Sequence, residues 1–270
     1  MVYNPLWGKK LAVIGDSLIA SPTSKTYAHY LAWRNNMVLV HKGRSGEKLC
    51  HSLTNSSGVV TNPSCISSYT NDIPSDADFI LCQIGANDSI QWWWDSTNSV
   101  PDTDMSLDTF KGCWNNLLLG LKTNYPNAKI GMILANNWNE NLGQKTEDVI
   151  PSETLGSRRS MTQWQKIQCQ KLNIPVFDPQ EDTKWFTYHM TRYNINGTTV
   201  TPDGVDESVM SWYDKMSREM GSDHSWYKSA DNAWIFQTRW MNDNQHTSPN
   251  GNMLLSFFYE EWMKTVLICD

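Results

Sequence analysis

The stretch LAVIGDSLIAS, residues 11–21, decides how the chain is read. Leu11 through Ile14 is continuously apolar, the pattern of a strand buried on both faces of a sheet. Gly15, Asp16 and Ser17 then break the run at once and leave a lone serine at the strand's carboxyl end. In a parallel α/β sheet, that end is where ligands bind. A serine after a strand ordinarily caps a helix or closes a turn. Whether Ser17 does chemistry therefore depends on what the rest of the chain brings to it.

Four further runs read as buried strands: residues 37–40, 79–84, 130–135 and 174–177. Helical patterns lie between them. The first, 21–35, opens with Ser21 and Pro22 at cap-like positions and carries Tyr27, Tyr30, Leu31 and Trp33. In 107–121, Leu107, Phe110, Trp114, Leu117, Leu118 and Leu121 follow i, i+3, i+4 spacing. A weaker pattern covers 162–172, and a last helix starts at Pro249 and carries Leu254, Phe257, Phe258 and Trp262. Strands alternating with helices predict one α/β domain over 1–270, with a parallel sheet of about five strands covered by helices on both faces. No internal repeat or low-complexity linker interrupts it. Residues 178–241 do not fit, because aromatic residues from Trp185 to Trp240 are scattered there among polar and turn residues. A structureless loop of that length is uncommon inside a compact domain. The segment is read as an insertion with structure of its own, a cap over one end of the sheet.

Composition excludes several classes. The formal charge is -6 and no Lys/Arg cluster tracks a phosphate backbone, so nucleic acid is not the expected partner. No apolar run approaches the ~18 residues of a membrane span. The start, MVYNPLWGKKLAVIG, lacks the pattern of a signal peptide, which makes a cytoplasmic location the default expectation. The six cysteines form no C-x-x-C pair and no zinc-like spacing with histidine, so no metal is expected. Cys82 and Cys113 sit in apolar patterns and read as core. Cys50 and Cys65 flank a polar loop and could pair in an oxidising compartment, although a reduced protein is the default. Tryptophan is abundant, 14 against 7 Phe, and its flat apolar face suits core packing and sugar stacking equally.

Three stretches stand where Ser17 could use them. HKGRSGEKL, residues 41–49, follows the second strand, and exposed N–H groups around Gly43 and Gly46 could bind a developing oxyanion. It lacks the full G-x-x-x-x-G-K-[ST] pattern of a nucleotide loop. QIGANDS, residues 83–89, follows the third strand, and the Asn87 amide there can donate to a negative oxygen without carrying charge. NDNQHTSPNG, residues 242–251, precedes the last helix. The three-residue spacing of Asp243 and His246 lets one turn set a carboxylate against the imidazole Nδ1–H, leaving Nε2 to take a proton from a serine. Among the other histidines, His41 also ends a strand but has no acid at a comparable offset. Asp223 and His224 are adjacent, a poor geometry for the task.

These blocks, in this order, resemble the SGNH hydrolase (GDSL esterase/lipase) superfamily. The resemblance rests on Gly15-Asp16-Ser17-Leu18, Gly46 within GRSGE, Gly85-Ala86-Asn87-Asp88, and Asp243-x-x-His246. It implies a flavodoxin-like three-layer α/β/α domain and a serine esterase without cofactor or metal. Carried over by position, Ser17 is the nucleophile, His246 the base and then the acid, and Asp243 its orienting partner. The Ser17 N–H, the Gly46 N–H and the Asn87 amide form the oxyanion hole. Gly43 is the lesser choice for the glycine donor, and Asp16 and Asp88 are expected to hold their turns. The G-x-S-x-G elbow of the α/β-hydrolases is absent.

Trp92, Trp93 and Trp94 follow the Asn87 block directly, and Trp138 lies in ANNWNEN after the fourth strand. With the Trp-rich insertion they favour a glycan surface, hence removal of small acyl groups, acetyl foremost, from a carbohydrate. Packing of the insertion onto the core accounts for most of these residues equally well. A lipid or thioester acyl hydrolase would want an apolar channel, and the insertion is polar. A silent carbohydrate-binding or structural protein on the same fold, such as part of a phage or surface assembly, has no need of Ser17, Asn87, Asp243 and His246 together.

Overall fold

The computed structural model of the protein describes residues 3–20, 25–50, 52–53, 60–62, 66–85, 87–88, 100–134, 158–179, 182, 225–228, 234–237, 247 and 249–268. Its main sheet is built from β1 (Lys10–Gly15), β2 (Val38–Gly43), β5 (Phe79–Gln83), β6 (Lys129–Ile133) and β7 (Val176–Phe177). The strands lie in the order β2-β1-β5-β6-β7, and every neighbouring pair is parallel. Counted within that sheet alone this is the 2-1-3-4-5 order of a doubly wound domain, as expected.

The apolar runs explain the layers. Along β1, Leu11 and Val13 face one core while Ala12 and Ile14 face the other; in β5, Phe79 and Leu81 alternate in the same way with Ile80 and Cys82. Helix α1 (Tyr27–Arg34) and the last helix α5 (Pro249–Trp262), which ends in a π-helical turn at Met263–Leu267, cover the first face. Helices α2 (Ile66–Asn71), α3 (Phe110–Asn124) and α4 (Arg158–Lys171) cover the second, with Trp114, Leu117, Leu118 and Trp164 filling that core. Arg34 ties α1 to α5 by donating to the Glu260 carboxylate (2.9 Å) and the Ser256 carbonyl (2.9 Å), while its guanidinium lies over the Phe257 ring.

Some boundaries differ from expectation. Helix α1 starts at Tyr27, because Lys25 and Thr26 are not helical and Thr26 is the N-cap. β2 runs to Gly43, so His41 and Lys42 belong to the strand and do not follow it. The hairpin of β3 (Ser52–Leu53) with β4 (Val60–Asn62) and the short α2 carry too little apolar periodicity to announce themselves. Within 178–241, Ser225–Lys228 (β8) pairs antiparallel with Trp234–Gln237 (β9). The remainder of the expected insertion, apart from Asp178, Pro179 and Asp182, lies outside the described residues. Among the described residues no helix is long and apolar enough to cross a membrane.

The start of α1 gives the fold a pH dependence. The Thr26 N–H donates to His29 Nδ1 (3.2 Å), a bond that only the neutral ring can accept. Burial, with His41 and Lys25 nearby, lowers the His29 pKa from its ordinary value. The unfolded chain therefore takes up this proton more readily than the folded one. The contribution to stability is complete above about pH 6.5 and is lost as pH falls from there through the lower folded value. Urea midpoints measured from pH 7.5 down to 5 are expected to fall, and to fall less steeply in His29→Gln. An unchanged slope in that variant would assign the dependence to other groups.

Candidate active site

The sheet order reverses between β1 and β5: α1 leaves β1 across one face, α3 leaves β5 across the other, and their carboxyl ends open a crevice. Ser17 stands at that crevice, half-buried, two residues past the end of β1. The turn is shaped by Gly15 and Asp16. Gly15 has φ +152°, and a Cβ there would lie 1.8 Å from the Gln83 carbonyl oxygen, so β1 passes β5 at a distance only glycine allows. Asp16 is fully buried, its N–H donates to that same Gln83 oxygen (3.2 Å), and its Oδ1 accepts from the Leu18 N–H (3.0 Å). The Asp16 carbonyl accepts from Ile19 and Ala20 N–H. The aspartate thus closes the turn that presents Ser17, as its position implied.

Two other sequence blocks arrive at the same place. The Arg44 N–H donates to the Gly15 carbonyl (2.9 Å), and the Tyr69 hydroxyl donates to it as well (2.6 Å). Residues 44–47 then make a turn closed by Glu47 N–H to the Arg44 carbonyl, with Gly46 exposed and in the left-handed region at φ +76°. The Asn87 amide donates to the Glu47 carbonyl (2.9 Å). The buried Asp88 carboxylate accepts the Leu49 N–H (3.0 Å) on one oxygen and the Cys50 N–H (2.9 Å) on the other. Asn87 and Asp88 therefore staple the glycine loop to the end of β5, and Ser17, Gly46 and Asn87 lie on adjoining loops of one crevice. Gly43, the lesser candidate for a donor, is the last residue of β2, paired with Gly15.

Asp243, His246, Trp92, Trp93, Trp94 and Trp138 lie outside the described residues. The described residues beside His246 do connect to the nucleophile's side of the crevice. Asn252, buried in the first turn of α5, donates to the Thr247 carbonyl (3.2 Å) and accepts the otherwise orphaned N–H of Tyr27 at the start of α1 (3.1 Å). Sequence reasoning passed over Asn252, since a lone Asn in a helix start gives no sign of a partner 225 positions away. Replacing it by alanine leaves a buried donor and an acceptor without it, at an expected cost of about 1–3 kcal/mol. A urea midpoint unchanged from wild type would show that those bonds are replaced by others.

His41, the alternative base, is engaged elsewhere: its Nε2 lies 2.7 Å from the Ile19 carbonyl oxygen. Cysteine does not compete with Ser17 either. Cys50 is a free, buried thiol whose contact with Cys113, burial and the Asp88 carboxylate together push its pKa far above the ordinary thiol range. Cys82 and Cys113 are buried in the core as expected, and Cys65 lies outside the described residues. Among the described residues, no group of three or more His, Cys, Asp or Glu could hold a metal ion.

Sequence comparison finds no matching family model and no matching curated protein. Solved structures do match. A protein of Lactobacillus plantarum superposes with a TM-score of 0.60 at 17% identity, covering 96% of this chain and 98% of its own. A possible lipase from Chitinophaga pinensis superposes at 0.53 with 14% identity, over 95% of this chain and 98% of its own. A Bacteroides uniformis protein described as GDSL-like follows at 0.49 with 16% identity, over 96% and 95%. At these identities the likeness speaks for the fold. The chain is a doubly wound α/β/α protein, the architecture that the sequence resemblance implied.

Proposed function

We propose that the protein is a serine esterase that removes small acyl groups, acetyl foremost, from a carbohydrate through an acyl-enzyme. The observation that carries this reading is the placement of Ser17, at a glycine-shaped turn in the switch-point crevice, beside the Gly46 loop and Asn87. Ser17 Oγ attacks the ester carbonyl carbon while His246, oriented by Asp243, takes its proton. The negative oxygen of the tetrahedral intermediate is held by the N–H groups of Ser17 and Gly46 and by the Asn87 amide. Collapse breaks the bond to the alcohol, which leaves with the proton from His246. Water, deprotonated by His246, then attacks the acyl-enzyme and releases the acid and free Ser17. The carbohydrate preference is supported by Trp92, Trp93, Trp94 and Trp138, whose flat faces suit sugar rings.

The test is hydrolysis of p-nitrophenyl esters of increasing acyl length. Serine-dependent turnover concentrated on acetyl and other short acyl groups supports the reading and leads on to acetylated glycans. Preference for long chains replaces it with a lipid hydrolase, and no turnover of any ester moves the chain to the class of binding proteins.

A further inference from the structure

The turn that presents Ser17 is held from both sides. The Asp16 carbonyl accepts the N–H groups of Ile19 and Ala20. The Ile19 carbonyl oxygen in turn lies 2.7 Å from His41 Nε2. A carbonyl oxygen only accepts, so His41 Nε2 must carry a proton. The ring is therefore a donor toward the turn and offers no lone pair there.

The neighbourhood holds this ring in place. His41 projects from β2 toward α1, where the His29 ring lies with its centroid 5.0 Å away. Gly43, two residues on along the same edge of β2, packs directly beneath the turn: a Cβ there would come within 2.8 Å of Ile19 Cγ1 and 3.0 Å of both the Ala20 nitrogen and His41 Cε1. The segment around Ser17 is thus gripped at both ends, by Tyr69 at the Gly15 carbonyl and by His41 at the Ile19 carbonyl.

We infer that His41 is a positioning residue for the nucleophile: its Nε2–H fixes the Ile19 carbonyl and through it the Ser17 turn. The inference rests on the esterase reading of Ser17. Both Ser17 Oγ, as the attacking atom, and the Ser17 N–H, as an oxyanion donor, take their places from the backbone of this turn. A displacement of about 1 Å in such groups costs on the order of 100-fold in rate. A donor that holds the turn therefore acts on the chemical step more than on substrate affinity.

The experiment compares wild type, His41→Phe and His41→Gln on p-nitrophenyl acetate, with Ser17→Ala as background. The rate of covalent labelling of Ser17 by a fluorophosphonate is read alongside. Phenylalanine keeps the ring without a donor; the glutamine amide reaches the place of Nε2–H. His41→Phe is expected to lower kcat about 10-fold or more with KM changed less than about 2-fold, and to slow labelling in parallel. His41→Gln is expected to keep kcat within about 3-fold of wild type. A His41→Phe protein as fast as wild type overturns the role, and so does an equal loss in both variants. If His41→Phe fails to fold, His41→Asn, whose amide stops short of the carbonyl, replaces it against His41→Gln on the same terms. A wild type that neither turns over the ester nor is labelled overturns the esterase reading and the positioning role with it. An active wild type with an unaffected variant overturns the His41 role alone.

Discussion

Ser17→Ala is expected to abolish ester hydrolysis, by a factor on the order of 10⁴ or more in kcat, while leaving the thermal midpoint almost unchanged. The size follows from the chemistry. A hydroxyl is a poor nucleophile until a base removes its proton, and alanine has no atom for the proposed base, His246, to activate. The proposed oxyanion donors at Gly46 and Asn87 would remain, but with no covalent intermediate they could assist only direct attack by water. The fold should tolerate the change because the turn is held by Asp16, which accepts the Leu18 N–H through its carboxylate and two further N–H groups through its carbonyl. Assay of the purified variant on the short-chain ester, beside its melting curve, checks both halves. Retained turnover would remove Ser17 from the mechanism; lost turnover together with a collapsed midpoint would make it a structural residue.

Gly15→Ala has the largest expected effect on stability, at least about 4 kcal/mol, equivalent to a fall of roughly 10 °C or more in the thermal midpoint. Two causes add. A side chain at φ +152° is strained wherever it stands, and the Cβ would sit 1.8 Å from the Gln83 carbonyl oxygen, well inside contact distance. Relief requires β1 and β5 to separate at the point where they build the crevice, and the Asp16 N–H bond to the same oxygen would be lost with it. Soluble expression and a melting curve decide the matter. A variant melting near wild type would mean that the two strands approach less closely than this.

Much of this architecture was legible in the residues. The central strands announce themselves because they are buried on both faces and so are written as unbroken apolar runs, as in Leu11 to Ile14 and Phe79 to Cys82, whereas the half-buried edge strand Val38–Gly43 runs on through His41 and Lys42. The turn residues at their ends were equally readable, and Asp16 and Asp88 prove to hold their loops through backbone N–H groups, as their positions implied. What escaped was of two kinds. Short elements such as Ile66–Asn71 have no full period of apolar residues, and they hold because single side chains such as Tyr69 are buried by distant neighbours. Contacts made by one polar atom between elements distant in sequence, such as Asn252 to Tyr27 or His41 to Ile19, leave no periodic trace. Only the packing of β2, α1 and α5 brings those partners together.

The bond between Asn252 and Tyr27 also sets an order of events during synthesis. One face of the sheet takes part of its cover from the last helix, which contributes Leu255, Tyr259 and Trp262, with Met263 and Leu267 in the turn that follows. A nascent chain that has emerged only as far as β7 carries every strand of the main sheet, yet of the two described helices on that face Leu11, Val13, Phe79 and Leu81 then have α1 over them and lack α5. Such a half-covered sheet is the kind of surface that chaperones bind and that aggregates when it is left waiting. Completion of this face of the core and the bond between α1 and α5 are therefore one step, taken when the α5 segment docks.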